Sequence, residues 1–221
     1  MPPGASASVA KIRPFAPVPK RRPGFAASTT TSDGDREPPL INSARLALLI
    51  VIAFELMLFS GLIGSFLVYR LAAVFWPPPG LPRLPVQVTW ANTFVLLSSA
   101  VTMTLALRAV HDNRRRMLRR WLGVTAALGA TFLGVQGTEW VRLVSHGLHL
   151  SSGVYGGTFY VLIGCHGLHV LAGFLWLVGV FVIAIRGGYN ARNCAGVELC
   201  AIYWYFVCAI WPLLFGLVYL M

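Results

Sequence analysis

Two histidines, His166 and His169, stand one helical turn apart in the otherwise apolar run 152–173, so both fall on one side of a helix. Imidazoles at that spacing can share a metal ion, or donate ring N–H groups to carboxylates and carbonyls across a helix interface. The second role is the expected one. Haem ligation needs histidines opposed across two helices, and no other apolar segment carries a histidine. Copper needs a clustered His/Cys set, and Cys165 beside His166 projects from a different face. This chain is therefore expected to hold no redox centre and no metal.

Three carboxylates share the apolar surroundings. Glu55 stands well inside one apolar run, where a charge is costly, so it is expected to be protonated, paired, or turned toward a neighbouring subunit or cavity. Gln136 and Glu139, three residues apart, can share one face near the end of another run, as a capping pair or a functional contact. Glu198 opens the last run, where a helix N-terminus favours negative charge. No phosphate loop, nucleophile elbow or His-Glu-x-x-His pair is present.

The elements that must position these groups are membrane helices. With 57% hydrophobic and 11% charged residues in 221, the chain is too apolar for one soluble domain. Five runs are each long enough to cross about 30 Å of hydrocarbon, and they lie at 46–69, 89–110, 121–141, 158–185 and 197–220. The expected fold is all-α, a polytopic bundle of five transmembrane helices. Short connections make sequential helices the expected neighbours. Small residues four apart, as in Ser60/Gly64, Gly61/Ser65, Ala126/Ala130/Gly134 and Gly123/Ala127, offer faces for close helix approach. Pro212 lies inside the last run and is expected to kink it.

The net charge of +11 sits at membrane edges and not on a soluble face, which excludes nucleic acid as a partner. Lys11, Arg13, Lys20, Arg21, Arg22, Arg36 and Arg45 precede the first run, Arg108, Arg114, Arg115, Arg116, Arg119 and Arg120 follow the second, and Arg186 and Arg192 follow the fourth. Only Arg70, Arg83 and Arg142 fall on the other side, so the N-terminus is expected in the cytoplasm and the C-terminus outside. Residues 1–43, rich in proline, basic residues, Ala, Ser and Thr, read as a disordered cytoplasmic tail ahead of a membrane domain over 44–221. No signal peptide is expected. Cys165, Cys194, Cys200 and Cys208 form no C-x-x-C pair and have no histidine at finger spacing, so free thiols are expected.

Four stretches together resemble subunit III of the haem-copper terminal oxidases, the cytochrome c oxidase family, from about residue 41 to the end. Phe54-Glu-Leu-Met-Leu-Phe-Ser-Gly61 is similar to the family's Ser-Glu-x-x-Phe-Phe-x-Gly helix, with Phe54 in place of Ser. Trp90-Ala-Asn-Thr-Phe-Val-Leu-Leu-Ser-Ser-Ala100 is similar to Leu-Asn-Thr-x-x-Leu-Leu-x-Ser-Gly. The third stretch joins Gln136-Gly-Thr-Glu139 to Val154-Tyr-Gly-Gly-Thr-Phe159 and His166-Gly-Leu-His-Val170. In the fourth, Glu198, Tyr203 and Trp204 match Glu-x-x-x-x-Tyr-Trp-His-Phe-Val-Asp, while Tyr205 and Cys208 replace its His and Asp.

The resemblance implies a short five-helix form in a bacterial plasma membrane. It implies a non-catalytic subunit of an enzyme that reduces dioxygen to water and pumps protons. Haem and copper then belong to partner subunits, this chain packs on subunit I beside subunit II, and phospholipid fills a cleft. Glu55, the counterpart of the family's carbodiimide-reactive glutamate, faces that interior, and His166 and His169 with Glu139 tie helices together. A nitric oxide reductase-associated protein of the same fold is the alternative, and a small transporter is a more distant one. The electron donor, cytochrome c or quinol, binds elsewhere.

Overall fold

The computed structural model of the protein describes residues 43–76, 78 and 86–220. The tail reading for 1–43 and most of the proline-rich segment 77–85 lie outside these residues. The described chain is helical, as expected: α1 (Ser43–Ala72), α2 (Val86–His111), α3 (Arg115–Ser145), α4 (Gly153–Ile185) and α5 (Ala195–Phe215), the last continuing into a π turn, Gly216–Leu220. Every helix begins before its apolar run and three end beyond it, because hydropathy marks only the part that crosses lipid. α1 at 30 residues is about 45 Å long.

Among the described residues four helices are long and apolar enough to cross a membrane: α1, α2, α4, and α5 with its π turn. α3 has the length, at 31 residues, but dilutes its apolar stretch with Arg115, Arg116, Arg119 and Arg120 at one end and Gln136, Glu139 and Arg142 at the other. Its polar ends are where they can reach headgroups and water.

α2, α3, α4 and α5 pack into a bundle in which α2 closes on both α3 and α5. α1 does not follow the neighbour rule: it lies chiefly on α4 and α5 instead of its sequence neighbour α2. α1 consequently buries little besides Phe59 and Phe66, and turns Phe54, Met57, Val68 and Leu71 outward.

Tryptophans on α5 hold the bundle. Trp204 and Trp211 are both 0% exposed, and their indole N–H groups donate to α2: Trp204 to Ser99 Oγ at 3.0 Å, Trp211 to Thr93 Oγ1 at 2.9 Å. Lipid offers no such partner, so these bonds specify which face of α5 meets α2. On the other flank of α2, Asn92 Nδ2 donates to the Phe132 carbonyl at 3.2 Å and Thr102 meets Thr125 at 2.8 Å, fixing α2 to α3.

Close helix approach uses different glycines from those the small-residue pattern singled out. A Cβ at Gly61, Gly64 or Gly134 would meet nothing within 4 Å, and Ser60 and Ser65 bond their own helix carbonyls. Of the glycines in that set only Gly123 would bring a Cβ against a neighbour, Phe181 at 3.3 Å. The tight contact is at Gly129, where a Cβ would stand 2.8 Å from Trp204 Cη2. Substituting Gly129 with valine is expected to cost about 1–3 kcal/mol by overpacking, because the indole is pinned to Ser99 and cannot retreat. Thermal melts of Gly129→Val beside Gly134→Val, which enters open space, check this.

Pro212 does not stop α5. The helix runs to Phe215 and then widens into the π turn, so the missing N–H is absorbed in the last turns. Gly187, at φ +81°, ends α4 in the left-handed conformation and lets Gly188 N–H reach the Ile183 carbonyl at 3.0 Å. Gly156 has another necessity: a Cβ there would collide with the His149 carbonyl, which accounts for a glycine in the Tyr-Gly-Gly run.

Candidate functional site

Glu55 lies near the middle of α1 and His169 midway along α4. Where those helices meet, His169 Nε2 comes to 3.6 Å from Glu55 Oε1, and the Tyr203 hydroxyl of α5 donates to the same oxygen at 3.4 Å. Three helices thus converge on one carboxyl deep in the apolar slab. The other oxygen, Oε2, is buried and finds no hydrogen-bond partner among the described residues.

The orientation of the His169 ring follows from its contacts. His169 Nδ1 stands 2.7 Å from the Cys165 carbonyl, which can only accept, so Nδ1 carries a hydrogen. Nε2 is left to face Glu55. At mid-membrane depth one carboxyl oxygen thus faces an imidazole and a phenol from two other helices.

Around it the walls are aromatic. Phe59 sets its edge against His169 (ring centroids 5.2 Å apart) and His166 (6.2 Å). His166 points elsewhere from its neighbour: it is 1% exposed, its ring stacks on Trp211 at 5.1 Å and 24°, and neither ring nitrogen finds a hydrogen bond among the described residues. The two histidines share a helix side but not a role. His166 is packing and His169 is polar contact.

Glu139 is not with them. It pairs with Arg142 on its own helix at 2.8 Å, so the implied tie between Glu139 and the histidines is replaced by a local bridge near the end of α3. Gln136 Nε2 donates to the Tyr219 hydroxyl at 3.3 Å, which fastens the π turn to α3. The two residues expected to act as a pair serve different partners.

Glu198 sits in the first turn of α5, as expected of an N-terminal acid, and also joins three elements. Arg45 from the start of α1 and His111 Nε2 from the end of α2, the latter at 2.9 Å, meet its two oxygens, and the Cys194 thiol donates to Oε1 at 3.3 Å. His111, one residue beyond the second apolar run, is the last residue of α2. Burial first, and then the Glu198 carboxylate, hold the Cys194 thiol above its ordinary pKa, so it is a neutral donor here. Because Arg45 and His111 are about half exposed, Glu198→Gln is expected to cost only about 0.2–1 kcal/mol per lost pair. Denaturation at low and high salt checks this: the difference between the two proteins shrinks as salt rises.

The two departures from the resembled pattern both find partners on α2. The Tyr205 hydroxyl meets Thr104 Oγ1 at 2.9 Å, and Cys208 Sγ lies 3.8 Å from the Leu96 carbonyl and 3.9 Å from Ser99 Oγ. Of the α2 hydroxyls, Thr93 and Ser99 lie within the second resembled stretch, and Thr104 lies beyond it. Their signal was Ser and Thr among apolar residues, but only the indoles and the Tyr205 hydroxyl opposite give it meaning.

Comparison with known proteins gives a consistent result. The family model described as cytochrome c oxidase subunit III matches residues 26–221. Curated relatives named cytochrome c oxidase subunit 3 include one from Thermostichus vulcanus, 38% identical over 177 residues, which cover 80% of this chain and 86% of the relative. One from Synechocystis sp. is 35% identical over 168 residues, with 76% and 71% covered, and the human one 32% over 196, with 86% and 74%.

Proposed function

The chain belongs to the cytochrome c oxidase subunit III family, and from that premise we propose that it serves its oxidase as a non-catalytic membrane subunit that sustains proton uptake and turnover. In this reading haem and copper are carried by partner subunits, and the chain packs on subunit I in a complex that also contains subunit II. The membrane is a bacterial plasma membrane, with the N-terminus in the cytoplasm and the C-terminus outside. The distribution of Lys and Arg supports that orientation. So does the fold, which sets Arg45 and the arginines that open α3 at the same end as the start of α5, through the Arg45–Glu198 and His111–Glu198 pairs.

The observation that carries the reading is the Glu55–His169–Tyr203 contact at mid-membrane depth. A carboxyl there is expensive, and it is held by residues of two further helices and not left to lipid. It gives the subunit a proton-holding group beside an outer α1 face rich in large apolar side chains, suited to phospholipid or to a partner helix. Tyr203 positions the carboxyl, Trp204 positions Tyr203 by locking α5 onto α2, and Glu198 with Gln136 ties the two ends of α5. Glu139 and His166 have structural parts, at the end of α3 and in the aromatic core.

A test is turnover of the purified oxidase with the wild-type subunit, without it, and with Glu55→Gln. The reading expects the initial dioxygen-reduction rate to be similar in all three and sustained turnover to fall without the subunit. Equal turnover lifetimes with and without it would overturn the reading. The relatives named above are all oxidase subunits, and nothing in the described fold favours the nitric oxide reductase alternative.

A further inference from the structure

We propose that His111, Cys194 and Glu198 form a binding site for a divalent transition-metal cation of borderline softness, Zn2+ foremost. Spacing alone kept Cys194 apart from any histidine. The fold removes that separation: the end of α2, the residue preceding α5 and the first turn of α5 meet, and one ligand atom from each residue lies within 4.8 Å of the others.

The geometry is close to what a tetrahedral ion needs. His111 Nε2 is 2.9 Å and Cys194 Sγ 3.3 Å from Glu198 Oε1. Zinc bonds of about 2.0–2.3 Å give tetrahedral edges of roughly 3.3–3.7 Å, so these two edges need to open by only a few tenths of an ångström, and the third, between His111 and Cys194, lies within 4.8 Å. Imidazole, thiolate and carboxylate together suit zinc and disfavour magnesium or calcium, which take oxygen ligands. Arg45 supports the arrangement from outside. It holds Glu198 by the other oxygen, Oε2, which leaves Oε1 to face the ion and orients the carboxylate, as outer partners of metal ligands do.

Two features make the site loadable. The His111 side chain is 54% exposed and that of Glu198 18%, so an ion can enter and a water can take the fourth position. On binding, the Cys194 S–H proton leaves to solvent and the sulfur pair forms the metal bond. Thiolate and carboxylate then set two negative charges against the ion and Arg45. The bound ion would staple α2 to α5 at the membrane edge, at the end of the bundle far from Gln136 and Tyr219.

The test uses the assembled complex, purified in mild detergent and washed with chelator, and reads alkylation of Cys194 by peptide-resolved mass spectrometry. Micromolar Zn2+ is expected to slow alkylation by roughly tenfold or more, since a metal-bound thiolate is no longer free to react. The exposed-surface variant His111→Asn, which keeps the thiol, is expected to remove that protection. Co2+ added in place of Zn2+ is expected to give a sulfur-to-cobalt charge-transfer band that is absent from Cys194→Ser. Equal alkylation with and without Zn2+, protection undiminished in His111→Asn, or a cobalt spectrum unchanged in Cys194→Ser would each overturn the site.

Discussion

Truncation of Trp204 to alanine is expected to destabilise the subunit by about 3–5 kcal/mol, within the range for large aromatic residues in close-packed cores. The indole is fully buried between α2, α3 and α4. Its N–H donates to Ser99 at 3.0 Å, its far edge fills the space left by Gly129, and its Cε3 approaches Gly173. In a bilayer the transfer of apolar surface from water contributes little, so the loss is of packing and of one hydrogen bond. Trp204→Phe separates these. It retains much of the ring and is expected to cost about 0.5–1.5 kcal/mol for the bond, with Ser99 still donating to the Leu96 carbonyl. Thermal melts of the purified complex, followed by retention of the subunit, measure both. If Trp204→Ala melted like Leu213→Ala, a truncation at an outward-facing position of the same helix, the α5 anchor would not be what holds the bundle.

The second large effect is at Glu55. Glu55→Ala leaves the Tyr203 hydroxyl and His169 Nε2 without the oxygen they share, at about 1–3 kcal/mol for the buried polar groups so orphaned. Glu55→Gln keeps an acceptor for Tyr203 and is expected to preserve assembly while abolishing the proton-holding function. The diagnostic quantity is the coupling between Glu55→Gln and His169→Asn. Residues in contact couple by about 0.5–3 kcal/mol, so the double variant should be measurably less impaired than the sum of its parts. Strict additivity would mean that the 3.6 Å approach carries no interaction.

Much of this architecture was legible in the residues, for a physical reason: a bilayer admits few backbone solutions. Length and apolarity alone locate helices when every N–H must be satisfied within its own segment. Their pairing was less legible. α1 lies on α4 and α5, and no period in α1 itself announces that choice. The small-residue pattern misled for a related reason. Gly61 and Gly64 look like a packing face but meet nothing in this chain, whereas Gly129 is required by a tryptophan 75 positions away in sequence, visible only in space.

The site shows the same division. That Glu55 and His169 need partners follows from their depth, and each proved to be the other's partner. His166 has identical sequence credentials but is stacked on Trp211, and one turn of helix separates the two fates. Glu139 was grouped with the histidines by the resemblance, yet Arg142 three residues along offers a nearer charge. Cys194 was discounted because sequence spacing measures only local geometry, and the metal-ligand set it completes comes from helices that meet end to end.

The most direct measurement is affinity purification of the tagged protein from its native membrane in mild detergent. A reduced-minus-oxidised spectrum and identification of the co-purifying chains complete it. Membership of an oxidase predicts haem absorbance that travels with a dioxygen-reducing subunit I and is absent from this chain once separated. A colourless protein that purifies without such a partner would contradict the account.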